Sequence, residues 1–139
     1  MPLLALTGSL STITLMIKRP LNAQFSDKVR DGIKFTTIRD KPWPVGVPIM
    51  LYNWSGAPYR SKHKDVAPIK VMGFWTIRIT HNEDGGMEYE HGMENELRLW
   101  ETEGFDSPFQ MDDWFRPLVK KGQTITKTLM RFSLVTVEE

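Results

Sequence analysis

Residues 31–40 have the sequence DGIKFTTIRD, which predicts the end of a helix, a turn and the start of a strand. Gly32 is typical of a helix end, and the apolar and β-branched residues after it favour an extended chain. Lys34 comes three residues before Thr37. Because residues 34 and 37 of one regular strand would face opposite sides, their side chains can meet only if Lys34 lies in the turn.

The chain before this stretch predicts a strand and a short amphipathic helix. Residues 13–18 are apolar and β-branched, as in a strand. Asn22 is a suitable helix N-cap, and Phe25, Val29 and Ile33 recur on one helical face. The sequence therefore places this helix directly before the turn that contains the lysine.

The chain after this stretch predicts more strands than helices. Because most strands are joined without a helix, a mixed, partly closed sheet is favoured over a doubly wound parallel one. We expect strands at 47–53, 68–79 and 124–137, short helices at 93–102 and 107–119, an exposed basic loop at 54–65 and a polar loop at 82–92.

The composition excludes several classes of protein. The chain has 139 residues, the length of one domain, and no cysteine, so disulfides, thiolate zinc sites and a cysteine nucleophile are excluded. With only three histidines, we expect no metal and no other cofactor. No run approaches the ~20 apolar residues of a membrane span, and no basic residue precedes the apolar start, so we expect a cytoplasmic protein without a membrane partner.

Charge is divided unevenly along the chain. Residues 1–70 have eleven Lys/Arg and four Asp/Glu, whereas residues 71–139 have seven and thirteen. This split is typical of a polyanion-binding face, and equally of two halves of one domain that attract each other. Aromatic residues interleave with the basic ones, which suits stacking of bases beside phosphates. The candidate nucleic-acid-binding residues are Lys18, Arg19, Arg60, Lys62 and Lys64.

The lysine and the threonines of residues 31–40 form a candidate catalytic group. A lysine amine can remove a proton from a hydroxyl when the pKa of the amine is lowered, and the nearby Arg39 would disfavour the ammonium form. The alternative is an edge strand whose charges are solvated. The spacing leaves open whether Thr36 or Thr37 would be the nucleophile.

Two separated motifs resemble the ASCH domain, a family of the PUA-like superfamily. The first is Ile-Lys-Arg-Pro at 17–20, a short helix, and Gly-x-Lys-x-x-Thr-Ile-Arg-Asp at 32–40; the second is Glu-Gly-Phe at 103–105. The resemblance implies an α+β fold, a small mixed PUA-like β-barrel flanked by short helices, with a cleft between the motifs. An N-terminal extension at 1–12 would precede an ASCH-like domain at 13–139.

The first motif is most similar to that of the small bacterial amidohydrolases that remove the acyl group from N4-acetylcytidine. The resemblance implies that Thr37 is the nucleophile, Lys34 the general base and Glu103 a supporting carboxylate, although Glu101 is an alternative acidic partner. The oxyanion would be stabilised by Arg39 or a backbone N–H. The residues expected to contact the substrate are Arg39, Trp54 and Tyr52.

Three classes of function remain open on the sequence. The first is an amidohydrolase acting on a small nucleoside amide. The second is a non-catalytic or RNA-cleaving module that binds RNA with the same cleft and the basic face. The third is a partner-binding domain of a regulatory complex, and a homodimer is a candidate assembly. The joint match at lysine, threonine, arginine and aspartate favours the enzyme.

Overall fold

The chain folds into a mixed α+β structure, as the sequence predicts. The computed structural model describes residues 16–94 and 98–136, so the N-terminal extension at 1–12 lies outside the described residues. The elements are β1 (Ile17–Pro20), a 3₁₀ turn (Ala23–Phe25), α1 (Ser26–Arg30), β2 (Thr36–Arg39), β3 (Pro48–Trp54), β4 (His63–His81), β5 (Met87–His91), α2 (Leu99–Glu103), α3 (Pro108–Phe115), a second 3₁₀ turn (Arg116–Leu118) and β6 (Thr124–Leu134).

One open sheet contains every strand in the described part of the chain. Its order is β1-β3-β4-β6-β2, and β5 pairs with the far end of β4. Only β1 and β3 run parallel among these pairs, and the other pairs are antiparallel. The two edges, β1 and β2, share no backbone ladder in the described residues, but Arg39 Nη2 donates a hydrogen bond to the Pro20 carbonyl at 2.9 Å. The Arg39 side chain thus joins the two edges of the sheet.

The long strand β4 organises the core. It pairs with β6 along most of its length and with β3 and β5 at opposite ends of its other edge. The register shifts between Val71 and Gly73, and such an irregularity increases the local twist that curls a sheet. Apolar side chains from the strands, with Val29 of α1, form one buried cluster. Its fully buried members include Ile49, Ile69, Ile77 and Leu129.

Local sequence signals locate most elements correctly. Asn22 caps the first 3₁₀ turn, accepting a hydrogen bond from the Gln24 N–H at 3.1 Å, and this turn leads directly into α1. Phe25 and Val29 are buried as predicted, whereas Ile33 is 52% exposed because the helix has already ended. At the other predicted helix, α3 begins at Pro108 and the Ser107 hydroxyl accepts from the Gln110 N–H.

One predicted loop contains a strand, and several predicted boundaries are wrong. The polar stretch 82–92 contains β5, whose alternating Met, Glu, Tyr, Glu, His residues are half-buried and exposed in turn, a period that its polarity concealed. The helix expected from residue 93 begins only at Leu99. The basic loop ends at residue 62, because His63 already pairs with Trp54 in the sheet.

Candidate active site

A cavity of about 370 Å³ lies beside the junction of β1, β2 and α2. Lys34, Thr37 and Glu103 all line it, as do Arg39 and Trp54. The two sequence motifs therefore meet in one hollow, although they are almost 70 residues apart. The remaining aromatic side chains on its wall are Phe25, Phe105, Trp114 and Phe115.

A larger hollow of about 570 Å³ reaches the same lysine from another side. Its wall is mainly apolar and includes Phe35, Met72, Trp75 and Leu134. Neither Thr37 nor a carboxylate lines this hollow, so it lacks a combination of hydroxyl, amine and acid. The smaller cavity is therefore the candidate active site.

Lys34 lies in the turn between α1 and β2, and from this position its side chain lines the same cavity as Thr37. Its backbone N–H donates to the Lys28 carbonyl at 3.0 Å, and β2 begins only at Thr36. The side chain is 4% exposed, and Nζ donates to the carbonyls of Thr36 at 2.6 Å and Glu103 at 2.7 Å. A neutral amine has two N–H bonds, so these two carbonyls leave its lone pair free to take a proton.

Burial determines the charge state of this lysine. Loss of solvation lowers the pKa of Lys34 to about 8, while the Glu103 carboxylate opposes the shift and Arg39 contributes to it. The sequence predicts that Arg39 lowers the pKa of Lys34. Arg39 does so, but by less than burial does. At pH 7 about a tenth of the amine is therefore neutral and available as a base, far more than for a lysine of ordinary pKa.

Glu103, rather than Glu101, is the carboxylate inside the cavity. Glu103 is 4% exposed, and its Oε1 lies 3.9 Å from Lys34 Nζ. Its Oε2 accepts a hydrogen bond from Thr36 Oγ1 at 2.5 Å, and Thr36 Oγ1 in turn lies 2.9 Å from Thr102 Oγ1. Glu101 remains half-exposed on the other side of α2. The carboxylate is thus held by a hydroxyl on one oxygen and faces the lysine with the other.

The glycine of the second motif allows α2 to end against the lysine. Gly104 has φ +96°, a left-handed conformation that favours glycine, and its N–H donates to the Glu101 carbonyl. A Cβ at this position would lie 3.0 Å from Phe25 and 3.1 Å from Lys34. Phe105 then packs its edge on Phe25 with ring centroids 5.3 Å apart. The Glu-Gly-Phe sequence thus directs the carboxylate inward and anchors the turn.

Thr37 is the threonine whose side chain reaches the cavity. It is 4% exposed, and its Oγ1 accepts a hydrogen bond from Arg39 Nε at 3.0 Å. The Arg39 guanidinium lies over the Trp43 ring at 4.7 Å, which fixes its orientation. Because Thr37 Oγ1 accepts from a cation, its own hydrogen is free to be donated. Thr36 is fully buried, does not line the cavity, and is occupied with Glu103.

Two of the three residues expected to contact the substrate line the cavity, and the third does not. Trp54 and Arg39 line the cavity, whereas Tyr52 is buried outside it and stacks on His63 with ring centroids 3.8 Å apart. His63 also packs edge-on against Trp54 at 4.5 Å. Tyr52 thus packs against both His63 and Trp54, whose ring centroid lies 5.4 Å away, and it does not line the cavity.

The predicted nucleic-acid-binding residues do not share one surface. Lys18 forms an ion pair with Asp65 at 3.1 Å, and Arg19 donates to the carbonyl of Lys18. Lys64 pairs with Asn53, next to the Trp54–His63 pair. Because successive residues of a strand face opposite sides, Lys64 points away from the side that carries Trp54 and His63. The exposed Arg60 and Lys62 lie in the loop that joins β3 to β4.

Sequence reasoning did not identify Thr102 or the aromatic wall. Thr102 is a fully buried residue of α2 whose hydroxyl meets Thr36. The spacing of Phe25, Phe105 and Trp114 was compatible with ordinary core packing, and each of them does contact another in an edge-on arrangement. Their position on the cavity wall distinguishes them from other core residues. No pattern in the sequence predicts that position.

The described part of the chain has no group of three or more His, Asp or Glu side chains arranged to hold a metal ion. None of its helices has the length and apolar character that crossing a bilayer requires. Comparisons with protein-family models, with curated proteins and with solved structures find no match for this chain. The function of this chain is therefore inferred from the residues and geometry of the cavity.

Proposed function

We propose that this protein is an amidohydrolase that acts on N4-acylated cytidine or a related nucleoside amide. The observation that supports this most directly is the cavity in which a buried amine of lowered pKa, a hydroxyl and a buried carboxylate meet. Lys34 is the general base, Thr37 the nucleophile and Glu103 the supporting carboxylate. The Arg39 contact with Thr37 Oγ1 and the engagement of Thr36 with Glu103 both favour Thr37 over Thr36 as the nucleophile.

Acyl transfer begins with attack of Thr37 Oγ1 on the amide carbonyl carbon. The neutral Lys34 amine takes the proton of the hydroxyl as the C–O bond forms. The Arg39 guanidinium, whose Nε donates to Thr37 Oγ1, favours loss of the hydroxyl proton, and its positive charge is the proposed stabiliser of the oxyanion that forms at the carbonyl oxygen. When the C–N bond breaks, the Lys34 ammonium protonates the leaving amine of cytidine, and the acyl group remains as an ester on Thr37.

Water then hydrolyses this ester. Lys34, neutral again, removes a proton from the attacking water, and the proton returns to Thr37 Oγ1 as the carboxylic acid leaves. The Glu103 carboxylate, 3.9 Å from Nζ, stabilises the ammonium that exists between the two proton transfers. The cycle ends with the same protonation states with which it began.

The walls of the cavity suit a planar substrate. Trp54, Phe25 and Trp114 provide aromatic surfaces, and the volume of about 370 Å³ falls within the range of small-molecule sites. A cytosine ring with its acylated amino group presents one flat apolar body and one polar amide. Aromatic packing would position the ring, and the polar groups at the floor would position the amide.

Turnover of N4-acetylcytidine, followed by ultraviolet absorbance, tests this proposal. We expect Thr37→Val and Lys34→Met to lose roughly 10³-fold or more of kcat, because each removes a reacting group. Thr37→Ser retains a hydroxyl and is the matched control. For the wild type, the rate should rise with pH through about 8, since the neutral amine is the base. Absence of turnover by the folded wild type would reject the enzyme.

We also propose that the sheet curls into a partly closed, PUA-like β-barrel. Its two edges approach each other at the Arg39–Pro20 hydrogen bond, and the register shift in β4 gives the sheet the twist that closure needs. Slow amide hydrogen exchange along the facing edges of β1 and β2 would support closure. Fast exchange of both edges, with the other strands protected, would contradict it.

RNA binding is the second candidate, and one arrangement favours it. In the loop between β3 and β4, Tyr59 is 90% exposed and its ring lies 5.2 Å from that of Trp54, beside Arg60 and Lys62. Exposed rings next to cations are suited to a stacked base and its phosphate. Fluorescence anisotropy with single-stranded RNA should then show salt-dependent binding that Arg60→Glu with Lys62→Glu weakens. Lys64→Glu, on the opposite side of the sheet, should have little effect.

A further inference from the structure

We propose that Thr36 and Thr102 are positioning residues: their buried hydroxyls hold Glu103 so that its second oxygen stays at a distance from Lys34. The inference rests on the proposed function for its kinetic consequence, but the positioning itself concerns only these four side chains. Neither threonine touches the cavity, so neither is a catalytic residue.

The hydrogen bonds form a directed chain. The carboxylate oxygen Oε2 can only accept, so Thr36 Oγ1 donates its hydrogen to Glu103. With its hydrogen used, Thr36 Oγ1 can only accept, and the single hydrogen of Thr102 Oγ1 is shared between Thr36 Oγ1 at 2.9 Å and the Leu99 carbonyl at 3.1 Å. Both threonines are fully buried, so no water competes for these bonds in the folded protein. The direction of the chain is thus fixed by the charge on Glu103.

The consequence appears at the other carboxylate oxygen. Oε1 lies 3.9 Å from Lys34 Nζ, which is an ion pair but too long for a hydrogen bond. Nζ instead donates to the carbonyls of Thr36 and Glu103. A carboxylate released from Thr36 could rotate toward Nζ and bind it directly, which would stabilise the ammonium form. The threonine chain therefore keeps the amine a usable base.

The charged groups that face Lys34 come from two elements. Glu103 approaches from α2 and favours the ammonium, while Arg39 approaches from β2 and disfavours it. The Phe25 ring lies 5.0 Å from Nζ on a third side and carries no titratable group. A change at Thr36 acts through Glu103, since the contacts of Arg39 are with Thr37, Trp43 and Pro20.

The decisive experiment compares pH profiles of kcat/KM for Thr36→Val, Thr102→Val and the wild type. Valine keeps the shape of threonine and removes only the hydroxyl. We expect the rising limb of Thr36→Val to move upward by about one pH unit, which is a tenfold loss near neutral pH that is recovered at higher pH. Thr102→Val should move the limb in the same direction by less, and Thr36→Ser should restore it.

A matched control is available in the same protein. Thr80 and Thr124 form an exposed hydroxyl pair at 2.8 Å on strands β4 and β6. Thr124→Val removes a similar hydrogen bond and should leave the profile unchanged. An unchanged or downward-shifted limb in Thr36→Val would overturn the inference. Loss of activity at every pH in a Thr36→Val protein that remains folded would also overturn it.

The titration of the Lys34 side chain, followed by NMR of its Cε, separates this inference from the proposed function. If the wild type shows no turnover, the proposed reaction fails, but the pKa of Lys34 can still be compared between wild type and the two valine variants. A higher pKa in a valine variant supports the positioning role without any substrate. An equal pKa rejects it whatever the activity of the protein.

Discussion

The cavity and the loop at residues 55–62 both place basic and aromatic side chains together, yet they treat the charges in opposite ways. In the cavity, Lys34 is buried, and two carbonyls and a carboxylate define its surroundings. In the loop, Arg60 and Lys62 are exposed to solvent. Trp54 belongs to both regions, since it lines the cavity and packs against Tyr59 of the loop.

This comparison explains what the basic first half of the chain contains. Burying a charged group costs free energy unless it is hydrogen-bonded or paired with an opposite charge. Two carbonyls and the Glu103 carboxylate fill these roles around Lys34. An exposed charge is solvated by water and has little effect on its neighbours. The basic first half of the chain therefore contains two kinds of residue. Buried Lys34 is suited to acid–base chemistry, and the exposed Arg60 and Lys62 are suited to attracting an anion.

The largest expected contrast concerns the aromatic rings. Phe105→Ala should destabilise the protein by about 3–5 kcal/mol, because a buried ring that packs on Phe25 leaves a cavity. Tyr59→Ala should cost within about 1 kcal/mol, since the ring is exposed and alanine at the same φ of +64° has a similar backbone strain. Urea denaturation measures both, and equal losses would contradict the contrast.

A smaller contrast separates two glycines of similar backbone conformation. Gly104→Ala should cost about 3 kcal/mol, because its Cβ would meet Lys34 and Phe25 in addition to the backbone strain. Gly85→Ala, at φ +93° with open space around it, should cost about 1 kcal/mol from strain alone. If the two variants melt at the same temperature, the close packing of α2 on the lysine is not required for stability.

A smaller effect is expected when the negative charge of Glu103 beside the Lys34 amine is removed. The Glu103 carboxylate raises the pKa of Lys34, so Glu103→Gln should lower it below about 8 and move the rising limb of the rate profile to lower pH. We expect a shift of about one pH unit, with a lower plateau rate because the ammonium intermediate loses its counterion. Kinetics across pH 6–10 would measure it, and a shift to higher pH would contradict the assigned electrostatics.

The smallest expected effect is that of the loop charges on stability. Arg60→Glu and Lys62→Glu should change the free energy of unfolding by less than about 0.5 kcal/mol each, because neither side chain has a buried partner to lose. Thermal melts in low salt would show this. A large loss would mean that the loop is part of the folded core and would remove the contrast with the cavity.

Local sequence signals predicted much of the fold. Asn22, the Ser107–Pro108 pair and the apolar alternation of the long strands act within a few residues, so their effects can be found without a structure. The strand β5 was missed because its polar residues outweighed their alternation. The hydrogen bond between Arg39 of β2 and Pro20 of β1 could not be predicted from such signals, since the approach of these strands depends on the accumulated twist of the strands between them.

The sequence by itself determined the local elements and the two motifs, with a lysine placed in a turn and a carboxylate at a helix end. Only the tertiary structure decided which threonine reaches the cavity, which glutamate is buried, and which cations remain in solvent. The physical reason is distance along the chain. The pKa of Lys34 depends on its burial and on Glu103, 69 residues away, and neither quantity exists until the chain has folded.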